Sequence, residues 1–205
     1  MALFKEINCV HCGKKTSMLS RTKLMCDDYV CGKCTSGIPA EVIANLHECM
    51  DEEDFAKIRN FFDVENKQRE KLFKETHKFK SLHLDEVNDL LYMDHIRPKM
   101  YIHMDDVEEF DLRYIPATVK EGFLSDKVTG DIHLNFKINL PPFTREEVIA
   151  KDVKSTGEIK GLIKKKVEYN NPKGMDDFVM AFELATARSI NRSLNSILHS
   201  DDEEE

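Results

Sequence analysis

The sequence predicts an α+β fold in three parts: a small cysteine-rich module, a helical connector, and an antiparallel β domain closed by a C-terminal helix. Three observations carry this prediction. Two CxxC pairs, Cys9/Cys12 and Cys31/Cys34, stand close to the N-terminus. Residues 51–78 contain neither glycine nor proline and are rich in charge. Residues 131–140, DIHLNFKINL, alternate apolar and polar side chains without a break.

Composition bounds the problem first. Apolar residues make up 41% of the 205-residue chain and charged residues 33%, so the chain can bury a core, but one continuous core is not expected. The formal net charge is −8, distributed as −2 over residues 1–63, −3 over 64–110, +2 over 111–200 and −5 on the terminal DDEEE. This balance argues against a broad phosphate-neutralising surface, which needs clustered Lys and Arg. The N-terminus MALFKEINCVHC lacks the apolar centre of a signal peptide, and no run approaches the roughly 20 apolar residues of a membrane span. A cytoplasmic protein with reduced thiols is expected, and there paired CxxC motifs serve as ligands more often than as disulfides.

The spacing C-x2-C-x18-C-x2-C suits a structural zinc site, with Cys9, Cys12, Cys31 and Cys34 as the ligands. A CxxC turn places two sulfurs on one side of a tight knuckle, so each pair supplies half of a tetrahedron. Gly13 after the first pair and Gly32 inside the second suit such turns. Lys14, Lys15 and Lys33 offset part of the −2 charge of a four-thiolate zinc centre. His11, inside the first knuckle, could replace one cysteine, although that position usually points outward. A redox CxxC needs a preceding apolar strand, and none is present. Between the pairs, residues 23–25 (KLM) and 29–31 (YVC) read as a hairpin turning at 26–28. After them, Pro39 suits a first helical turn, with Val42, Ile43, Leu46 and Met50 at helical spacing. Knuckle, hairpin, knuckle and helix is the order of a zinc ribbon or treble clef, a module with almost no apolar core that draws its stability from the metal. Cys26 and Cys49 read as small buried residues, or with His47 as an incomplete second site.

In the connector, Asp51 to Asp54 place negative charge at a helix start, and Phe55, Ile58 and Phe62 form an apolar stripe. From Val64 to Lys78 the residues are mostly charged and predict a solvated helix. The stripe predicts packing on the neighbouring domain ahead of docking to a partner. From about residue 79 the period changes to two. Met100, Ile102 and Met104 share one face, as do Phe110, Leu112 and Tyr114. In the clearest strand, Ile132, Leu134, Phe136, Ile138 and Leu140 face one way. Thr129-Gly130 reads as a hairpin turn before it, and Pro141-Pro142 ends it. The C-terminal stretch predicts a long helix with Phe178, Phe182 and Ala185 on one stripe, continued by Ile190, Leu194 and Ile197 after a one-residue slip.

The stretch CVHCGKKTSMLSRTKLMCDDYVCGKC resembles the uncharacterised N-terminal zinc-ribbon family of Gram-positive bacteria and their phages. In that family two CxxC pairs bracket a hairpin and a helix follows. The resemblance implies metal ligation by Cys9, Cys12, Cys31 and Cys34. Members often continue into a bacterial pleckstrin-homology-like domain, and HLDEVNDLLYM with KMYIHMDDVEEFDLRY looks like the strand, turn and strand at the start of one. The implied organisation is a ribbon over 1–50, a connector over 51–78, a PH-like β domain with its helix over 79–200, and an acidic tail over 201–205.

No G-x-S-x-G, Walker A, HExxH or Gly-rich dinucleotide motif occurs. His77, His83, His95 and His103 lie near Asp85, Asp94, Asp105 and Asp106, and an acid–base or metal site could be assembled from them. Lys164, Lys165 and Lys166, with Lys160, form a basic cluster that reads as a solvated edge or a polyanion contact. The tail reads as a disordered, solubilising end, or as a competitor for a basic surface. The expected function is a non-enzymatic, zinc-stabilised protein-interaction module with a protein partner. Two alternatives stand beside it: a nucleic-acid-binding regulator that uses the ribbon, disfavoured by the charge, and an acidic phage inhibitor of a host or defence enzyme, acting in the host cytoplasm.

Overall fold

The computed structural model describes residues 7–25, 27–48, 51–120, 127–139, 141, 143–154, 159–160, 166–167 and 171–200. It is a mixed α/β structure with antiparallel sheets and a C-terminal helix. Among the described residues no helix is long and apolar enough to cross a membrane.

Two short hairpins build the N-terminal module: β1 (Ile7–Asn8) with β2 (Lys15–Thr16), and β3 (Arg21–Lys23) with β4 (Tyr29–Cys31). The first folds around the CVHC knuckle. The Cys9 N–H donates to the Lys14 carbonyl at 2.8 Å and the Gly13 N–H to the Cys9 carbonyl at 2.8 Å. Gly13 takes a φ of 69°, which a side chain would resist. The second hairpin starts earlier than its apolar residues suggest, at 21–23 in place of 23–25. Leu24 is buried, and its N–H closes on the Asp28 carbonyl at 2.8 Å, so the chain turns there. α1 (Ala40–Asn45) and the 3-10 turn Leu46–Glu48 follow, burying Val42 and Leu46. Cys26, Cys49 and Met50 lie outside the described residues.

The connector is helical from Glu52 to Leu72: α2 (Glu52–Asn60), a π turn over Phe61–Glu65, and α3 (Asn66–Leu72). Asp51 caps α2 by accepting from the Asp54 N–H at 3.1 Å. Phe55, Ile58 and Phe62 are buried as the stripe predicts. The π turn adds a residue to the helical circuit, and Phe61 is buried beside Phe62. The helix stops short of Lys78. Phe73 leaves the helical backbone, and its ring packs against Tyr92 at 5.0 Å and Tyr101 at 5.4 Å.

The β domain holds two main sheets. β5 (His77–Phe79), β6 (Leu82–Asp85), β7 (Leu90–Met93) and β8 (Ile102–His103) form a four-stranded meander. Met100, Ile102 and Met104 are buried as expected. The alternating stretch is a strand only at Ile102–His103, because a 3-10 turn over Met104–Asp106 interrupts it. β9 (Val107–Lys120), β10 (Lys127–Ile138) and β11 (Phe143–Lys154) form the second sheet, with β10 central. Ile132, Leu134, Phe136 and Ile138 are all buried. The proposed turn at Thr129-Gly130 is not one. Both residues lie inside β10, paired with Thr118 and Pro116, and a register shift between them marks a bulge in β9. Glycine is required at 130 by close approach: a Cβ there would lie 2.3 Å from the Ile115 carbonyl oxygen. β12 (Ile159–Lys160) pairs with β13 (Lys166–Val167).

α4 (Met175–Ser200) seals the junction of the two sheets. Phe182 stacks on Phe110 of β9 at 3.8 Å, while Phe178 sits 6.4 Å from Phe110 and 6.2 Å from Phe79 of β5. The inward face runs through Met175, Phe178, Phe182, Ala185 and Ser189. The expected continuation through Ile190 is corrected, since Ile190 is 52% exposed. Ser189 takes the inward position because its hydroxyl donates to Asp105. The side chains of Leu194 and Ile197 lie outside the described set. A single apolar cluster extends from Cys9 and Leu24 through Phe55 and Phe61 to Phe136 and Ala185, so the expectation of a discontinuous core is also corrected. The connector carries apolar residues into both ends and makes the core continuous.

Gly130→Val should destabilise the fold by about 3 kcal/mol, because the bulged backbone of β9 cannot retreat without breaking its ladder. Urea unfolding checks this; a change within experimental error would show that the bulge yields.

Candidate metal centre

The four predicted cysteines converge. One sulfur from each of Cys9, Cys12, Cys31 and Cys34 lies within 4.8 Å of the others. The Sγ–Sγ distances are 3.8 Å for Cys9–Cys34, 3.8 Å for Cys12–Cys31 and 3.6 Å for Cys31–Cys34, and all four are free of disulfides. A tetrahedron with metal–sulfur bonds of about 2.3 Å has edges of about 3.8 Å, so the donor set fits a tetrahedral metal ion. Cys9 and Cys12 come from the turn between β1 and β2. Cys31 ends β4, and Cys34 follows it by one turn. Cys9 and Cys31 are buried, Cys34 is half-buried and Cys12 is exposed.

Backbone donors are aimed at the sulfurs. The Cys31 N–H reaches Cys9 Sγ at 3.3 Å. Burial opposes ionisation of Cys31, but the Cys34 and Lys33 backbone N–H groups and the neighbouring thiols bring it down to about 7. Cys34 moves the other way, pushed up by burial and by the three adjacent sulfurs. This asymmetry is what four crowded thiols show without a cation, because each thiolate formed makes the next harder to form. A divalent ion removes the conflict.

The connector braces this centre from outside. Arg59 of α2 donates from Nη1 to the Cys34 carbonyl at 3.1 Å and to the Ser36 carbonyl at 2.5 Å. Asp63 holds the same guanidinium through two bonds of 2.8 and 2.7 Å. His11 is not a member of the sulfur cluster; its ring meets Phe55 edge-on at 5.3 Å. At the other end, Asn66 donates to the Lys99 carbonyl at 2.9 Å and accepts from the Tyr101 N–H at 2.7 Å. Arg69 reaches Asp106 at 2.7 Å. Sequence reasoning missed Arg59. Its only local signal is the Arg59/Asp63 spacing of four, which reads as an ordinary surface pair.

The histidines do not assemble into one site. His83 lies buried between two carboxylates, with Nδ1 on Glu75 and Nε2 2.7 Å from Asp94, and its ring stacks on Tyr92 at 4.4 Å. His95 approaches Glu147 at 2.9 Å, His103 accepts from the Asp105 N–H at 3.3 Å, and His77 bonds Thr76 at 3.1 Å. Asp85 is occupied by the Lys74, Val87 and Asn88 N–H groups. His47 bonds the Ala44 carbonyl at 2.7 Å. Lys164, Lys165 and the acidic tail lie outside the described residues, and Lys166 opens β13. No family model, curated protein or solved structure matches the chain.

Two outcomes follow from this geometry. Chelation should release a single metal ion per chain and open the amides of residues 7–38 to hydrogen exchange while β10 stays protected. Retained protection of the Cys9 and Gly13 amides after metal loss would show that packing alone holds the knuckles. The bond to His83 holds the Asp94 carboxyl below the ordinary carboxylate value; partial burial opposes this, and the His83, Lys78 and Lys99 charges reinforce it. Its stabilisation is therefore present above about pH 4 and is lost as pH falls through the depressed folded value. Asp94→Asn should cost about 1 kcal/mol at neutral pH, a modest figure because Asp94 is 42% exposed. That difference from wild type should shrink in acid. A difference independent of pH in denaturant titrations would refute the assignment.

Proposed function

We propose that the chain is a zinc-stabilised, non-catalytic interaction protein, with a zinc ribbon of treble-clef type followed by a PH-like β domain, as in the Gram-positive bacterial and phage family it resembles. One observation carries the reading: the four sulfurs form a closed set of soft donors at tetrahedral spacing. Four thiolates suit zinc, and a four-coordinate thiolate site leaves no open position for substrate. The order of knuckle, hairpin, knuckle and following helix supports the ribbon assignment. The strand, turn and strand of β6 and β7 and the closing helix α4 support the PH-like assignment.

In this reading zinc is scaffold, and function lies on surfaces. The exposed apolar residues of the module, Met18, Leu19 and Met25, are the kind of side chain that a partner covers.

Affinity capture from bacterial lysate tests the proposal, run with wild type and with a Cys31→Ser/Cys34→Ser variant. The expected outcome is one stoichiometric protein that is retained after nuclease treatment and lost with the variant. Nuclease-sensitive recovery would favour a nucleic-acid ligand. A reproducible turnover that depends on β-domain residues would overturn the non-catalytic reading.

A further inference from the structure

Beside the cysteine cage a cleft of about 380 Å³ opens between the first knuckle and the 3-10 turn Met18–Ser20. Three lysines line it: Lys14 and Lys15 follow the first knuckle, and Lys33 stands inside the second. Some exposed lysines are paired, such as Lys23 with Asp27 and Lys57 with Glu53. Among the described residues neither Lys14 nor Lys33 has an ion-pair partner. Gathering cations in a concavity is unfavourable unless an anion enters it.

The cage answers part of that charge, since Cys31 also borders the cleft. It does not account for the hydroxyls. Thr16 spends its hydrogen on the Ser17 carbonyl at 3.2 Å. Ser17 and Ser20 share a single bond of 2.9 Å, so one of these two hydroxyls retains a hydrogen to donate. Both serines line the cleft. Gly32 keeps the second knuckle close to this turn: a Cβ there would lie 3.2 Å from the Ser20 carbonyl oxygen.

From this geometry we infer that the cleft binds a phosphate monoester. The Lys14 and Lys33 ammonium groups and a hydroxyl donor match a dianion with three terminal oxygens better than a phosphodiester, which offers two and a single charge. The rim agrees. Leu19 is fully exposed and Met18 is 57% exposed, where a nucleic-acid strand would need stacking aromatics. The monoester can come from a small soluble ester or from a lipid headgroup; in the second case Leu19 and Met18 stand where acyl chains begin. The inference rests on the ribbon reading only through the metal that closes the knuckles.

The test is an amide NMR titration of the metal-loaded full chain with phenyl phosphate, with metal content measured in every sample. Saturable shifts are expected at residues 14–20 and 32–33, about tenfold weaker in a Lys14→Gln/Lys33→Gln variant and unchanged in a Lys57→Gln control. Sedimentation with phosphatidylcholine vesicles, with and without phosphatidic acid, separates the sources. Binding that needs phosphatidic acid and Leu19 assigns the lipid headgroup, while phenyl phosphate binding without sedimentation assigns a soluble ester. The inference is overturned by any of three results with metal content intact. These are the absence of saturable shifts, equal shifts in the double variant, and tighter binding of an oligothymidylate that lacks terminal phosphates. Loss of metal in wild type would instead count against the zinc reading, so the two failures are distinguishable.

Discussion

Four sulfur atoms held within 4.8 Å of one another set the terms for the N-terminal half of this protein. Thiolates at that spacing repel, so ionisation favoured at Cys31 is opposed at Cys34, where burial and the three adjacent sulfurs push the thiol up. Such an arrangement suits a cation that joins the sulfurs, and it needs the backbone presenting them to be held from outside. The two CxxC turns are too short to do the second job alone. Their apolar support amounts to Leu24, Val30, Ile38, Val42 and Leu46.

The helical connector supplies the rest. Arg59 grips the carbonyls of Cys34 and Ser36, and Phe55 meets His11. The same helical run ends in Asn66 and Arg69, which take hold of the 99–106 segment of the β domain. A rod anchored at both ends turns three sequence segments into one body with one apolar cluster. The charged side chains of the connector are therefore not all solvated decoration. Arg59 and Arg69 are structural, each neutralised by a carboxylate and spent on backbone oxygens.

A division of labour follows. The cage and core determine shape, while the surfaces that could meet a ligand are those the core leaves alone. Among the described residues they include the lysine-lined cleft beside Cys31 and the exposed turn at Met18 and Leu19. Both belong to the module that carries the four cysteines, so their presentation depends on how the cage is held.

The sequence by itself determined the features that depend on local spacing. The four ligands follow from two CxxC turns, the buried face of β10 from strict alternation, and the inward stripe of α2 from helical periodicity. The helix start at Asp51 was legible from its run of acidic residues, while the cap bond from the Asp54 N–H to its carboxylate came with the structure. Tertiary structure decided what spacing cannot express. Gly130 reads as a turn residue in sequence, but it is required by a β9 backbone that approaches it from residues 115–116. Ile190 fits a helical stripe, yet Ser189 faces inward because Asp105, far away in sequence, waits for its hydroxyl. Arg59 reads as surface charge until Cys34 and Ser36 come within reach. In each case the deciding group is distant along the chain, and its contribution exists only after the core has brought the two together.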